Sequence, residues 1–421
     1  MWKLHEPQPP HPPVEAQPYS STRPRRSGEC CQIAGAPATK LYYPSVTFFE
    51  QHKIPRIVNA LGTSTIIGAN VAPPEVITAA TEALATNCEI DELQRAACRA
   101  IAQATGAEAG CVTSSASSGI AIATAACMTG ADLSKISRLP DSEGLPNEVL
   151  LQQAHDVNFG APISQMIRLA GACVVRLGTA NHCDAFHLRG ALSPRTAAVL
   201  YVVNGAVSSA ADLVPLEQCV AIAGAAGVPV IVDAAAETDV RPFLKAGASI
   251  VISSGHKAMG APTSGMLCGR KELVRACYLQ NWGIGRAMKV GKEGIAGLIA
   301  AVERWYSRDP NAENDRYSAI TALFAAKLEV HPTDAPHRIL IPVIREARHI
   351  ANLLRECDPA IWLNDAAGRT LTLDLRNLTL SDAAQVAELI LWAMNSKDTP
   401  VEDVPYHDLY WSEARLLCWP D

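Results

Sequence analysis

In SSGHKAMGAPTSG, residues 253–265, Lys257 follows an apolar run and has small residues on both sides. An exposed loop lysine needs no such frame. An amine that forms a Schiff base does, because burial and neighbouring cations depress its pKa and make it nucleophilic. Ser253, Ser254, Gly255, Gly260, Ala261 and Gly265 leave room, on this reading, for a flat ring. Asp233 ends the apolar run VPVIV upstream. A buried carboxylate needs a partner, since an unpaired buried charge is costly. It serves either as a helix N-cap or structural hydrogen-bond acceptor, or as the counter-ion of a protonated pyridine nitrogen. The stretch TSSASSG, 113–119, opens an alanine-rich segment. If that segment is a helix, its free N–H groups and dipole suit a phosphate at Ser114 and Ser115, although serine is also a common N-cap. An anion cradle, an acid for a ring nitrogen and a Schiff-base amine are what pyridoxal 5'-phosphate (PLP) requires. His155, in QAHD, is either an ordinary histidine at a helix start or an imidazole stacked on the cofactor ring. Asn204, Ser254 and His256 follow other apolar runs and join the cofactor-binding candidates.

The elements that would position these groups can be read from the pattern of the chain. Short apolar runs at 110–113, 148–152, 172–177, 197–203, 228–232, 249–253 and 265–269 predict strands. Helical stretches at 92–105, 116–129, 160–170, 215–226 and 239–246 lie between them, and another near 293–306 follows. This alternation predicts an α/β fold, a mostly parallel seven-stranded sheet with helices on both faces. Runs with little polar alternation fit a sheet buried on both sides. In such sheets ligands bind beyond the carboxyl ends of the strands. Asp233, His155, Asn204, Ser114 and the Lys257 loop each follow such an end.

The chain has 421 residues and 48% hydrophobic composition, enough for a large domain and a smaller one. Residues 1–44 are proline-rich and read as an extended tail, 45–306 as the large cofactor-binding domain, and 307–421 as a small α+β domain and tail. Within the last, SRDPNAENDR reads as a polar linker, ARHIANLLREC as an amphipathic helix and RTLTLDL as a strand. SDAAQVAELILWAM reads as a helix with Ser381 as N-cap. Net charge is −6, which argues against a phosphate-backbone binder. No apolar run is long enough for a membrane span, and the N-terminus lacks the apolar core of a signal peptide. The 13 cysteines contain no CxxC pair. Small buried thiols in a reducing cytoplasm explain them better than disulfides or a metal site.

The segments RIVNALGTSTIIG, TGAEAGCVTSSASSGIAIATAACMTG, YVVNGAVSS, VDAAAE, SSGHKAMGAPTSGMLCGR and GIGRAMKVGKEGIAGLIAAVERW carry a resemblance. They look like the selenocysteine-synthase-like branch of fold-type I, aspartate aminotransferase-like PLP enzymes. That branch includes seryl-tRNA selenium transferase and D-glucosaminate-6-phosphate ammonia-lyase. The resemblance covers roughly 53–306. It implies a homodimer or larger assembly with sites at the subunit interface. It also implies Lys257 as the Schiff-base lysine, Asp233 as the pyridine partner and Ser114 and Ser115 in the phosphate turn. Arg286 and Lys289 match basic positions facing the active site; the plainer reading of RAMKVGK is a solvated basic helix start. The chain departs from the selenium transferases in having His256 where they carry an acidic residue. Its proline-rich tail shows no recognisable tRNA-binding module.

The chemistry expected is a PLP-dependent lyase acting on a small amino acid: removal of the α-proton, then β-elimination or β-replacement. An aminotransferase, with Arg369 or Arg376 gripping the α-carboxylate, or a racemase shares the first steps. A tRNA-dependent selenium or sulfur transferase and a non-catalytic relative are the remaining alternatives.

Overall fold

A computed structural model describes residues 47–204 and 211–400. The proline-rich stretch 1–44, with Cys30 and Cys31, and the aromatic closing segment 404–421 lie outside the described residues. The chain forms two compact units. One is Thr63–Asp309; the other joins the residues up to Gly62 with those from Pro310 onward.

The first unit is built on a seven-stranded sheet. Its strands are β1 (Ala109–Thr113), β2 (Glu148–Gln152), β3 (Cys173–Leu177), β4 (Thr196–Val202), β5 (Val230–Asp233), β6 (Ile250–Ser254) and β7 (Gly265–Gly269). Their spatial order is β1-β7-β6-β5-β4-β2-β3. Strand β7 runs antiparallel to both neighbours, and every other pair is parallel. All seven strands expected from the sequence are present, their ends displaced by no more than two residues. The reason is burial: β1, β2, β5, β6 and β7 are buried along their whole length, so neither face selects polar residues. Alternate side chains feed two cores. Val251 of β6 packs into one, and Ile250 and Ile252 into the other.

Five helices matter to the site: α1 (Pro74–Ala85), α2 (Ile90–Thr105), α3 (Ala116–Thr129), α4 (Lys271–Leu279) and α5 (Lys292–Ser307). The reading of the sequence did not include α1 or α4. Helix α5 packs on α1 and α2. Helix α3 is almost wholly buried against the sheet, and its small residues permit this: a Cβ at Gly119 would stand 3.0 Å from Ile252 Cγ2.

In the second unit, helices α6 (Pro310–Ala325), α7 (Ala347–Arg355) and α8 (Leu380–Asn395) accompany a four-stranded antiparallel sheet. Strand Ile57–Asn59 also belongs here and pairs in parallel with Ala360–Trp362. Two expectations are corrected. The polar stretch SRDPNAENDR is not a linker over most of its length, because α6 starts at Pro310. Its polar residues form the exposed face of a helix that buries Tyr317, Ile320 and Phe324. The N-cap of α8 is Thr379, not Ser381: Thr379 Oγ1 accepts the Asp382 N–H at 3.1 Å, and the Asp382 carboxylate accepts the Thr379 N–H at 2.9 Å. Thr379→Ala should therefore cost about 1 kcal/mol, measured as a lower urea midpoint. Ser381→Ala, outside the box, should cost much less.

Among the described residues no helix is long and apolar enough to cross a membrane.

Candidate active site

Asp233 is the last residue of β5 and is only 7% exposed. Its Oδ1 accepts the Ala235 N–H at 3.1 Å. Burial raises its pKa to about 6, opposed by that hydrogen bond and by the charge of Lys257. The structure thus brings the two residues within electrostatic reach of one another. Lys257 is half-buried in the loop that links β6 to the antiparallel β7. The loop closes on itself: Gly255 N–H donates to Ser264 O at 2.9 Å, and Ala261 N–H to Gly255 O at 2.9 Å.

The glycines around Lys257 also have a packing cause. At the glycines, protein atoms stand where a side chain would go. A Cβ at Gly255 would lie 2.4 Å from Ser264 Oγ and 2.7 Å from Leu298 Cδ1. At Gly265 it would lie 2.3 Å from the Ser115 carbonyl oxygen, so this glycine lets β7 press against the start of α3.

Ser115 is the N-cap of α3. Its Oγ accepts the Ser118 N–H at 3.0 Å, while Ser118 Oγ accepts the Ser115 N–H at 2.9 Å. Ser114 Oγ donates to Ser118 Oγ at 3.0 Å. The N-cap reading of TSSASSG holds, and it leaves the phosphate reading open: the hydroxyls fix the turn, and the amides of Ala116 and Ser117, at the first positions of the helix, have no intrahelical acceptor. Ser254, buried at the end of β6, shares a 3.1 Å hydrogen bond with His256 Nδ1, and Thr65 Oγ1 lies 3.5 Å from His256 Nε2. Burial and then the charge of Lys257 lower the His256 pKa. Asn204 lies two residues beyond β4, where the described stretch ends.

His155 ends a short turn after β2 and is 1% exposed. Its Nδ1 accepts the Val202 N–H at 3.4 Å, so the ring proton belongs on Nε2, and among the described residues Nε2 is buried without a partner. The ring meets Tyr201 edge-on, with centroids 4.6 Å apart. Burial lowers its pKa from 6.5 to about 4. Between those values the unfolded chain holds more protons than the folded one. The stability that the neutral ring contributes is present above pH 6.5 and lost as pH falls towards 4. His155→Phe keeps a flat ring and removes the titration, so its apoprotein should lose less stability than wild type on acidification from pH 6.5 to 4.5, measured by urea unfolding.

Arg286 and Lys289 do not join this group directly. They line a cavity of about 630 Å³ with Asp91, Gln94, Tyr278, Trp282 and Lys292, and neither Lys257 nor Asp233 is in its lining. The Tyr278 hydroxyl donates to Asp91, and Lys292 Nζ caps α1 by donating to Leu84 O and Thr86 O at 3.2 and 2.7 Å. A smaller hollow shares Tyr278, Asn281 and Val290 with this cavity and reaches Thr113, the residue before Ser114. In the other unit, Arg376 forms a bidentate pair with Asp374. Reading the sequence missed Thr65 and Asn70, which touch the lysine loop from far away along the chain. No local pattern marks them.

These residues fit PLP. A buried carboxylate suits a cationic ring nitrogen, and the first amides of α3 suit a phosphate.

Residues 59–335 match the model of the family described as SelA, L-seryl-tRNA selenium transferase. The D-glucosaminate-6-phosphate ammonia lyase of Salmonella typhimurium is 41% identical over 258 residues, 61% of this chain and 70% of that protein. The 5'-C-glycyluridine monooxygenase-decarboxylase of a Streptomyces species is 39% identical over 328 residues, 73% of this chain and 82% of that protein. A solved structure of D-glucosaminate-6-phosphate ammonia-lyase superposes with a TM-score of 0.75 at 33% identity, covering 82% of this chain and 98% of that one. A structure of SPT with PLP shares the fold alone, with a TM-score of 0.52, 18% identity and coverage of 79% and 86%. The fold is that of fold-type I PLP enzymes, the cofactor is PLP, and the chain belongs to the SelA family.

Proposed function

We propose that this protein is a lyase that removes the α-proton of a small amino acid or amino-acid derivative and expels a β-substituent, releasing ammonia and a keto acid. The observation that carries the proposal is the placement of buried Asp233 and of the Lys257 loop beyond the ends of adjacent parallel strands, near enough for the lysine charge to act on the carboxylate. When bound, PLP supplies an electron sink for the substrate α-carbon. Asp233 holds the proton of the pyridine nitrogen. The turn at Ser114 and Ser115 binds the phosphate, and Ser254, His256 and Asn204 complete the surround. Lys257 anchors the cofactor and, once released, its Nζ takes the α-proton. His155 is the ordinary buried histidine of the two readings: 1% exposed, it has no free ring face to lay on the cofactor, and with its proton on Nε2 it is not the base. Arg286 and Lys289 bind an anionic substrate group, in keeping with the charged cavity they line.

The reading includes a homodimer or larger homo-oligomer. The exposed Ile77, Leu84, Ile90 and Trp282 on α1, the start of α2 and the turn after α4 support it, as apolar groups that a second copy would cover. The ten described cysteines are all free, which suits a reducing compartment such as the cytoplasm.

The test is a screen of the holoenzyme against D- and L-amino acids and phosphorylated amino-sugar acids, following ammonia, keto acid and oxygen uptake. Ammonia release without an added keto acid and without oxygen uptake is the expected result. A strict need for a keto-acid acceptor would establish transamination instead. A second reading, oxidative decarboxylation, is favoured by the 39% identity to the monooxygenase-decarboxylase over the longer stretch, and predicts oxygen uptake with loss of carbon dioxide. Copurified RNA with salt-sensitive binding would favour the tRNA-dependent reading.

A further inference from the structure

We propose that Asn70 is a positioning residue for the reactive lysine: its side-chain amide holds the main chain of Lys257 so that Nζ is presented at a fixed place. The inference rests on the reading of Lys257 as the Schiff-base residue.

Asn70 Nδ2 donates to the carbonyl of Lys257 at 2.8 Å, across 187 residues of sequence. Two further approaches tie the same two segments together. Thr65 Oγ1 lies 3.5 Å from His256 Nε2. Gly260 sits at φ +70°, where a Cβ would come within 2.9 Å of Pro73 Cδ. Residues 65–73 thus lie along the outside of the turn 256–260. The backbone that delivers Asn70 is itself unusual. Ala69 has φ +60° and is wholly buried, directly after Gly68 at φ +85°. A non-glycine residue there is strained and persists where its surroundings impose it. Ala69 N–H donates to Ser64 O at 2.9 Å, and Asn70 N–H to Gly68 O at 2.7 Å, which fixes the turn that points the amide at the loop.

The lysine side chain carries its amine on four rotatable bonds. Where Nζ goes depends on where its Cα is pinned and in what orientation. The loop's own hydrogen bonds close its two ends at Gly255 and Ser264, whereas Asn70 grips the residue that does the chemistry. Asn70 touches no reacting atom on this account and acts only through Lys257.

The experiment compares holoenzymes of Asn70→Asp and Asn70→Ala with wild type and Lys257→Ala. Asn70→Asp keeps the shape and replaces the donor with an oxygen facing a carbonyl oxygen. The expected result is a fall in kcat of about tenfold or more with KM changed less than about twofold. The visible band of the lysine-bound cofactor is retained, but its pH-titration midpoint and its rate of trapping by borohydride are shifted. If Asn70→Asp does not fold, Asn70→Ala alone is read. Wild-type kcat, titration midpoint and trapping rate in the folded variants overturn the proposal. So does a loss of activity that only tracks a lower melting temperature, with the band's titration unchanged. If Lys257→Ala keeps the visible band, the reading of Lys257 itself fails, a result distinct from any given by the Asn70 variants.

Discussion

On the proposed function, Lys257→Ala should abolish turnover, with kcat lower by about ten-thousand-fold or more, because the variant would lose both the covalent anchor and the base. Neither nearby histidine among the described residues is placed to take over. His256 shares its Nδ1 with Ser254 and has Thr65 beside Nε2, and His155 is enclosed by protein with its Nδ1 against the Val202 N–H. The variant should still bind PLP, through Asp233 and the start of α3, without the visible band of the lysine-bound form. Added primary amines such as methylamine should restore part of the activity, which they would not do for a misfolded protein. Turnover at the wild-type rate in the alanine variant would remove Lys257 from the mechanism.

Asp233→Asn should separate activity from stability. Activity should fall by about a thousandfold, since an amide cannot hold a proton on the ring nitrogen. The apoprotein should become more stable. Burial lifts the Asp233 pKa from 3.8 to about 6, so between those values the folded state holds more protons than the unfolded chain. Its stability therefore declines as pH rises through that window and stays low above it. Asparagine removes the decline. Above pH 6 the variant should gain on the order of 3 kcal/mol, read from urea midpoints of the two apoproteins. His155 acts in the opposite sense over nearly the same range, so in wild type the two contributions largely cancel. Asp233→Asn should expose the rise with pH, and His155→Phe the fall. An Asp233→Asn apoprotein less stable than wild type at pH 7 would show that the carboxylate is not strained in its site.

The strand ends that carry Asp233, His155 and the lysine loop were legible because a sheet covered on both faces leaves uninterrupted apolar runs, each stopped by a polar residue. Elements with one wet face were harder to see. Helix α6 hid behind the charges of its first turns, and α1 behind its prolines and threonines. The cap of α8 was misplaced by two residues because Thr379 and Ser381 are both plausible caps, and only the reciprocal bond with Asp382 distinguishes them. The composition of the lysine loop is legible, but its packing is not: a sequence reports that side chains are small, not which atoms stand against Gly255 and Gly265. Asn70 left no trace because its partner is a main-chain carbonyl, which any residue possesses.

Strand β7 returns antiparallel directly after the lysine loop, so both ends of that loop are sewn into interior strands of the sheet, β6 held by β5 and β7, and β7 by β6 and β1. Its length cannot drift. One residue added between Ser254 and Gly265 would have to bulge outward against Pro73 and Leu298 or slide β7 by a step and turn every side chain of that strand over. Changes of substrate range, natural or engineered, are more easily written elsewhere, in exposed turns outside the sheet such as the one around Phe159, a residue 43% exposed.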